Sequence, residues 1–210
     1  MRKMSVFLCV VLFFGLLSAA NATSFNVALN AEVVLNGSFF TDGLAGGISV
    51  PEDTIVDGNF LTRGTVWNQG AVWWDSHDGA DRHITIELGG VFSIESFVVQ
   101  ADDNDAYILS YWDLGSSNWQ VAWDVPNYDP AGSGMQTRPV PADDAVRYIL
   151  AGNIVTNALK FEGNMDNSDL YFSVSEIQAY GTPVPEPATM LLLGLGLVGL
   201  AGVSRKKFKK

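Results

Sequence analysis

Cysteine is all but missing: the chain holds one, Cys9, inside an N-terminal apolar run. Beyond that point neither disulfides nor thiol catalysis are available, so stability must come from packing and, where carboxylates cluster, from bound metal. Basic residues are nearly as scarce away from the ends. Twelve Lys and Arg stand against 23 Asp and Glu, and seven of the twelve are Arg2, Lys3, Arg205, Lys206, Lys207, Lys209 and Lys210. Five remain against 22 acids between residues 23 and 184, a formal balance of −17. That excludes a nucleic-acid partner, because phosphate recognition needs clustered Lys and Arg. Histidine is limited to His77 and His83, and neither stands in an HExxH, paired-His or GxSxG context. With no GxGxxG and no Walker sequence, nucleotide chemistry is unsupported. The 22 acids offer many carboxylate pairs for glycoside hydrolysis, yet nothing singles out one pair. The chain reads as non-enzymatic, with a glycan-active hydrolase as a weaker alternative.

What is present first is a pair of addresses. Arg2 and Lys3 precede an apolar run from Met4 to Leu17, followed by Ser18, Ala19, Ala20, Asn21 and Ala22. Small residues at this spacing predict a signal peptide over 1–22, whose partners are the Sec translocon and signal peptidase. At the other end, residues 182–187 (TPVPEP) predict a stiff linker, 188–204 a short transmembrane helix, and 205–210 a basic cytoplasmic tail. Pro185 and Pro187, flanking Glu186, hold the motif extended and free of helix, so that a protease can read it. VPEPAT, a Leu- and Gly-rich apolar helix and a basic end, in that order, resemble the PEP-CTERM sorting signal. The resemblance implies processing by an exosortase, with Pro185, Glu186 and Pro187 as recognition residues of a substrate. It also implies export across the inner membrane, transient anchoring, and delivery to the cell surface or extracellular matrix. A permanent tail anchor is the alternative.

The 160 or so residues between the ends suffice for one domain with a full core. Long helical periodicity is absent, and short alternating runs recur. Ile84, Ile86 and Leu88 alternate with polar residues up to Gly89-Gly90. Further strands are predicted at Phe97–Gln100, Tyr107–Asp113, Trp119–Asp124, Arg147–Leu150, Ala158–Phe161 and Tyr171–Tyr180. Residues 126–144 form the longest stretch without a pattern. Many short strands separated by Gly, Asp, Asn and Pro predict an all-β fold, an antiparallel β-sandwich or jelly roll over 23–181, flanked by a signal helix and a transmembrane helix.

Within that domain VDGNF (56–60), Trp67, HITIELGG (83–90), residues 94–99 and SVSEIQAYG (173–181) resemble the discoidin, or coagulation-factor type C, family of galactose-binding-like jelly rolls. The resemblance implies ligand binding by loops at one end, beside a structural Ca²⁺. Asp57, Gly58 and Asn59 combine hard oxygen donors with a turn glycine, as a Ca²⁺ loop requires and as an ordinary turn also provides. Glu176 continues the apolar phase of Phe172 and Val174 while Ile177 and Ala179 take the other. Either a bulge shifts the register or a carboxylate points inward and needs a cation or an Arg. The resemblance brings first and last strands together, so that Asp57, Asn59, Thr62 and Glu176 would share one ion. Asp102, Asp103, Asn104 and Asp105 read as a solvated loop, with a second cation site as the alternative. All six tryptophans lie between 67 and 123. Trp119 and Trp123 read as core. Trp73 and Trp74, being adjacent, would point to opposite faces, leaving one exposed beside His77 and Arg82 as a glycan platform. The functional expectation is an exported surface or matrix protein whose sandwich binds carbohydrate, namely exopolysaccharide; an acidic structural matrix protein without a ligand is the alternative.

Overall fold

The computed structural model describes residues 23–40, 50–166, 168–185 and 193–196. The signal peptide at 1–22, Glu186 and Pro187 of the sorting motif, the basic tail and most of the 188–204 helix lie outside these; 193–196 are helical. Among the described residues no helix is long and apolar enough to cross a membrane.

Nine strands follow in order: β1 (Phe25–Asn26), β2 (Glu32–Asn36), β3 (Val72–Asp75), β4 (His83–Asp102), β5 (Tyr107–Asp113), β6 (Asn118–Val125), β7 (Met135–Arg138), β8 (Tyr148–Gly163) and β9 (Tyr171–Pro183). A 3-10 turn, Glu52–Val56, lies between β2 and β3. Every pairing is antiparallel, in the order β1-β9-β4-β8-β5-β6, with β2 and β7 on β4 and β3 on β9. The expected all-β sandwich is the fold.

The strands are longer than the alternating runs suggest. Ile84–Leu88 and Phe97–Gln100 are two halves of the 20-residue β4, which passes through Gly89-Gly90 instead of ending there. Its first half pairs with β2 and with the end of β8; its second half pairs with β9, β7 and the start of β8, and the registers shift between Glu87 and Phe92. β4 and β8 thereby bend from one layer into the other. Between the layers lie Ile84, Ile86, Phe97, Val99, Tyr107, Leu109, Phe161, Phe172, Val174 and Ile177, all fully buried. Alternation decides these positions, since side chains at i and i+2 share a face.

Three expectations are corrected. The patternless stretch at 126–144 contains β7, all four residues of which are buried. Thr182 and Pro183 belong to β9, paired with Ser93 and Phe92, and Val184 N–H donates to Val91 O at 2.9 Å. The sheet therefore continues to the residue before Pro185, and the linker does not begin at 182. Trp123 is core, stacked on Tyr148 at 4.4 Å, but Trp119 is only half-buried and lies on the outer face with Lys160.

Candidate functional site

Trp73 and Trp74 do point to opposite sides of β3, as adjacent strand residues must. Neither is a platform, because both are buried, at 4% and 0% exposure. Trp74 packs in the core against Phe39, Tyr107 and Phe172. Trp73 points away from it and is covered by Phe40, stacked at 3.9 Å, and by Trp67, edge-on at 4.9 Å. The doublet Phe39-Phe40 thus closes over the doublet Trp73-Trp74, fixed by an antiparallel bridge from Phe40 to Trp73. The expectation of an exposed tryptophan fails because residues 38–40 supply the missing layer.

The rings continue outward. Trp67 stacks on Tyr171 at 5.8 Å, and the His77 ring lies 4.7 Å from Tyr171. Of the Phe40, Trp67, Trp73 and Tyr171 rings, that of Tyr171, at 39% exposure, reaches solvent. Its phase is opposite to that of buried Phe172, so alternation alone was the signal that it leaves the core. His77 and Arg82, expected together, do come together, in the turn between β3 and β4. Asp75 Oδ1 accepts the His77 backbone N–H at 2.9 Å and lies 2.7 Å from His77 Nδ1, and these contacts, the backbone one foremost, hold the Asp75 carboxyl below its usual range. Arg82 grips Asp78 with both terminal nitrogens, at 2.5 and 2.7 Å, a bidentate pair that keeps Asp78 far below the usual carboxylate range and raises Arg82. Ser38, Phe40, Asp75, His77, Asp78 and Arg82 line a shallow pocket of about 390 Å³. A second pocket, of similar volume, lies on the other side of Arg82 and reaches the 163–166 turn. Among the described residues no serine or threonine hydroxyl is hydrogen-bonded to the His77 ring.

The second expected constellation lies elsewhere on the sheet. A bulge between Gln100 and Ala101 of β4, opposite Glu176 and Val174, inserts Ser175 and shifts the phase, so both readings of Glu176 meet. It leaves the core side, yet it has no exposure. Glu176 Oε2 accepts the Gly58 N–H at 3.3 Å and Oε1 accepts Gln178 Nε2 at 3.0 Å. Burial, with the nearby Asp57 charge, pushes its carboxyl up to about 8. The turn works because Gly58 sits at φ +83°, where a side chain would be strained and would press on Leu29. Asp57 and Glu176 are therefore neighbours, while Asn59 and Thr62 are exposed on the same loop. Among the described residues no three His, Cys, Asp or Glu side chains converge as a metal cage. Two carboxylates, an amide and a hydroxyl still fit Ca²⁺, which completes its shell with backbone carbonyls and water.

The solvated-loop reading of 102–105 is wrong. Asp102, Asp103 and Asp105 are 1%, 6% and 0% exposed. Burial raises Asp102 to about 7 and Asp105 to about 8, with Asp103 and Asp169 adding at the first and Asp169 and Asp102 at the second. Buried Arg138 spends its donors on the carbonyls of Ala101, Asp102, Asp105, Pro126 and Gln136, and on no carboxylate. It serves as the hub that turns the chain at the end of β4.

Residues 183–206 match the PEP-CTERM protein-sorting motif family. No curated protein matches the chain. Among solved structures the chain is similar to the family 32 carbohydrate-binding module of Clostridium perfringens NanJ in complex with galactose, with 11% identity over 75% of this chain and 98% of that one and a TM-score of 0.47. It is also similar to chitosan-binding module 1 from a chitosanase/glucanase of Paenibacillus sp. IK-5, at 17% identity over 75% and 99% and a TM-score of 0.46. A third is the family 32 carbohydrate-binding module of Streptococcus pneumoniae EndoD, at 13% identity over 74% and 99% and a TM-score of 0.45.

Proposed function

We propose that the chain is an exported, non-catalytic carbohydrate-binding protein, delivered by its PEP-CTERM motif, whose sandwich holds polysaccharide at the Tyr171–His77–Arg82 end. The observation that carries the reading is the half-exposed Tyr171 ring, backed by Trp67, beside His77 and the Arg82–Asp78 pair. An exposed ring face receives the apolar face of a pyranose, while the flanking acids, imidazole and guanidinium offer acceptors and donors to its hydroxyls. Trp67 behind Tyr171 and Asp78 on Arg82 fix both groups before any ligand arrives, which limits the ordering cost of binding. The ligand in this reading is exopolysaccharide. Ca²⁺ at Asp57, Asn59, Thr62 and Glu176 would neutralise the buried Glu176 and hold the 57–62 loop; it has no part in the sugar contact.

Two experiments test the reading. Retention on a panel of immobilised polysaccharides should fall at least tenfold in His77→Ala and in Arg82→Ala; retention unchanged in both would remove this pocket as the site. Intact mass of the protein from the host envelope and medium should show a species that starts near Thr23 and lacks the residues after the Pro-Glu-Pro motif. A full-length tail confined to the inner membrane would replace sorting by permanent anchoring.

A further inference from the structure

The turn from β4 to β5 and the turn before β9 meet at a cluster of oxygens that, among the described residues, lacks a counter-charge. Asp105 is wholly buried; its Oδ1 accepts the Asp169 N–H at 3.1 Å, and its Oδ2 has no partner. Asn104 donates through Nδ2 to Asp169 Oδ2 at 2.9 Å, which leaves Asn104 Oδ1 buried and unpartnered. Ser168 Oγ, on the residue before Asp169, is a third buried oxygen without a partner. Three buried oxygens on adjoining residues without a partner among the described residues are costly in a protein interior, where nearly all such atoms are satisfied. Among the described residues the cation close by, Arg138, is committed to carbonyl oxygens, including that of Asp105 itself. Asp102 adds further negative charge from β4.

We propose that Asn104, Asp105, Ser168 and Asp169 form a Ca²⁺ site that clamps the 164–170 turn to the end of β4. Carboxylate, amide and hydroxyl oxygens are the donors a hard cation takes, and two carboxylates match its charge. The site is separate from the Asp57–Glu176 loop. Its placement also gives it a consequence: Asp169 Oδ1 accepts the N–H of Tyr171 at 2.9 Å, and Leu170 O accepts the N–H of Ser76, so the clamped turn carries the ring against His77.

The test uses the purified full chain, held in detergent, with calorimetric Ca²⁺ titration and thermal melting. In the Glu176→Gln background, which removes any ion at the other loop, one Ca²⁺ should bind and raise Tm by about 5–10 °C at a hundredfold excess over Kd. Adding Asp105→Asn should abolish both the binding and the shift. Without Ca²⁺, that double variant should melt no lower than its parent, because a neutral amide of the same shape replaces a buried acid. Asp169→Asn, at an exposed position, should give the same loss and guards against a folding defect at Asp105. The proposal is overturned if Ca²⁺ leaves the Glu176→Gln chain unchanged, or if the shift persists in both added variants; Asp105 would then be held neutral by a proton alone.

Discussion

At Trp73 a single exposure value separates two roles that composition cannot. Its ring is sealed between Phe40 and Trp67, so Trp73→Ala should behave as a large-to-small core change and cost about 3–5 kcal/mol of stability. Chemical denaturation would check this; a loss below about 1 kcal/mol would mean the ring is not packed as described. Tyr171 has the opposite profile, 39% exposed with a backbone held by β9. The sequence carried the alternation that sends Tyr171 outward and Phe172 inward. It did not carry the cover over Trp73, because that depends on a bridge from a residue 33 positions away. His77 and Arg82 were legible for a local reason: they share one short turn with the Asp residues that hold them. The acidic run at 102–105 was misread because charge density resembles solvation, whereas Arg138 and the 126–134 segment, distant in sequence, enclose it.

Among the elements, β5 and β6 were readable almost to the residue, and β9 at its start, where Tyr171, Phe172 and Val174 set the phase; its end was not. β4 and β8 were seen only as fragments. Their middles bend between layers, and the registers slip there, so no single period describes them. The bulge at Ser175 reconciles the two readings of Glu176, and only pairing with β4 could reveal it. The close of β8 gives a prediction at this scale. A Cβ at Gly163 would lie 2.4 Å from the Phe172 ring. Gly163→Ala should therefore cost about 1–3 kcal/mol by forcing that core ring aside. A Tm equal to that of the parent would show that the β8 end and Phe172 are not in contact.

For the whole molecule the dominant fact is excess negative charge, part of it buried. In the metal-free chain Glu176 and Asp105 titrate near 8 and Asp102 near 7, against 4.5 and 3.8 for the ordinary groups. Between about pH 4 and 8 the folded state thus holds more protons than the unfolded chain, and linkage makes stability fall as pH rises through that window. Metal-free melting should be lower at pH 8.5 than at pH 5.5, with added Ca²⁺ narrowing the difference at the higher pH. A Tm that rises steadily from pH 5.5 to 8.5 without metal would contradict the buried acids. The same charge disfavours anionic polymers, so the proposed binding predicts a preference for neutral polysaccharide.

The most direct test of the binding account is affinity electrophoresis of the wild-type chain and Tyr171→Ala through gels containing the host's own exopolysaccharide. The account predicts retardation of the wild type, loss of most of it in Tyr171→Ala, and equal melting temperatures for the two proteins. Wild-type mobility unaffected by any neutral polysaccharide, or full retardation of Tyr171→Ala, would contradict it, the first outcome favouring an acidic matrix protein without a ligand.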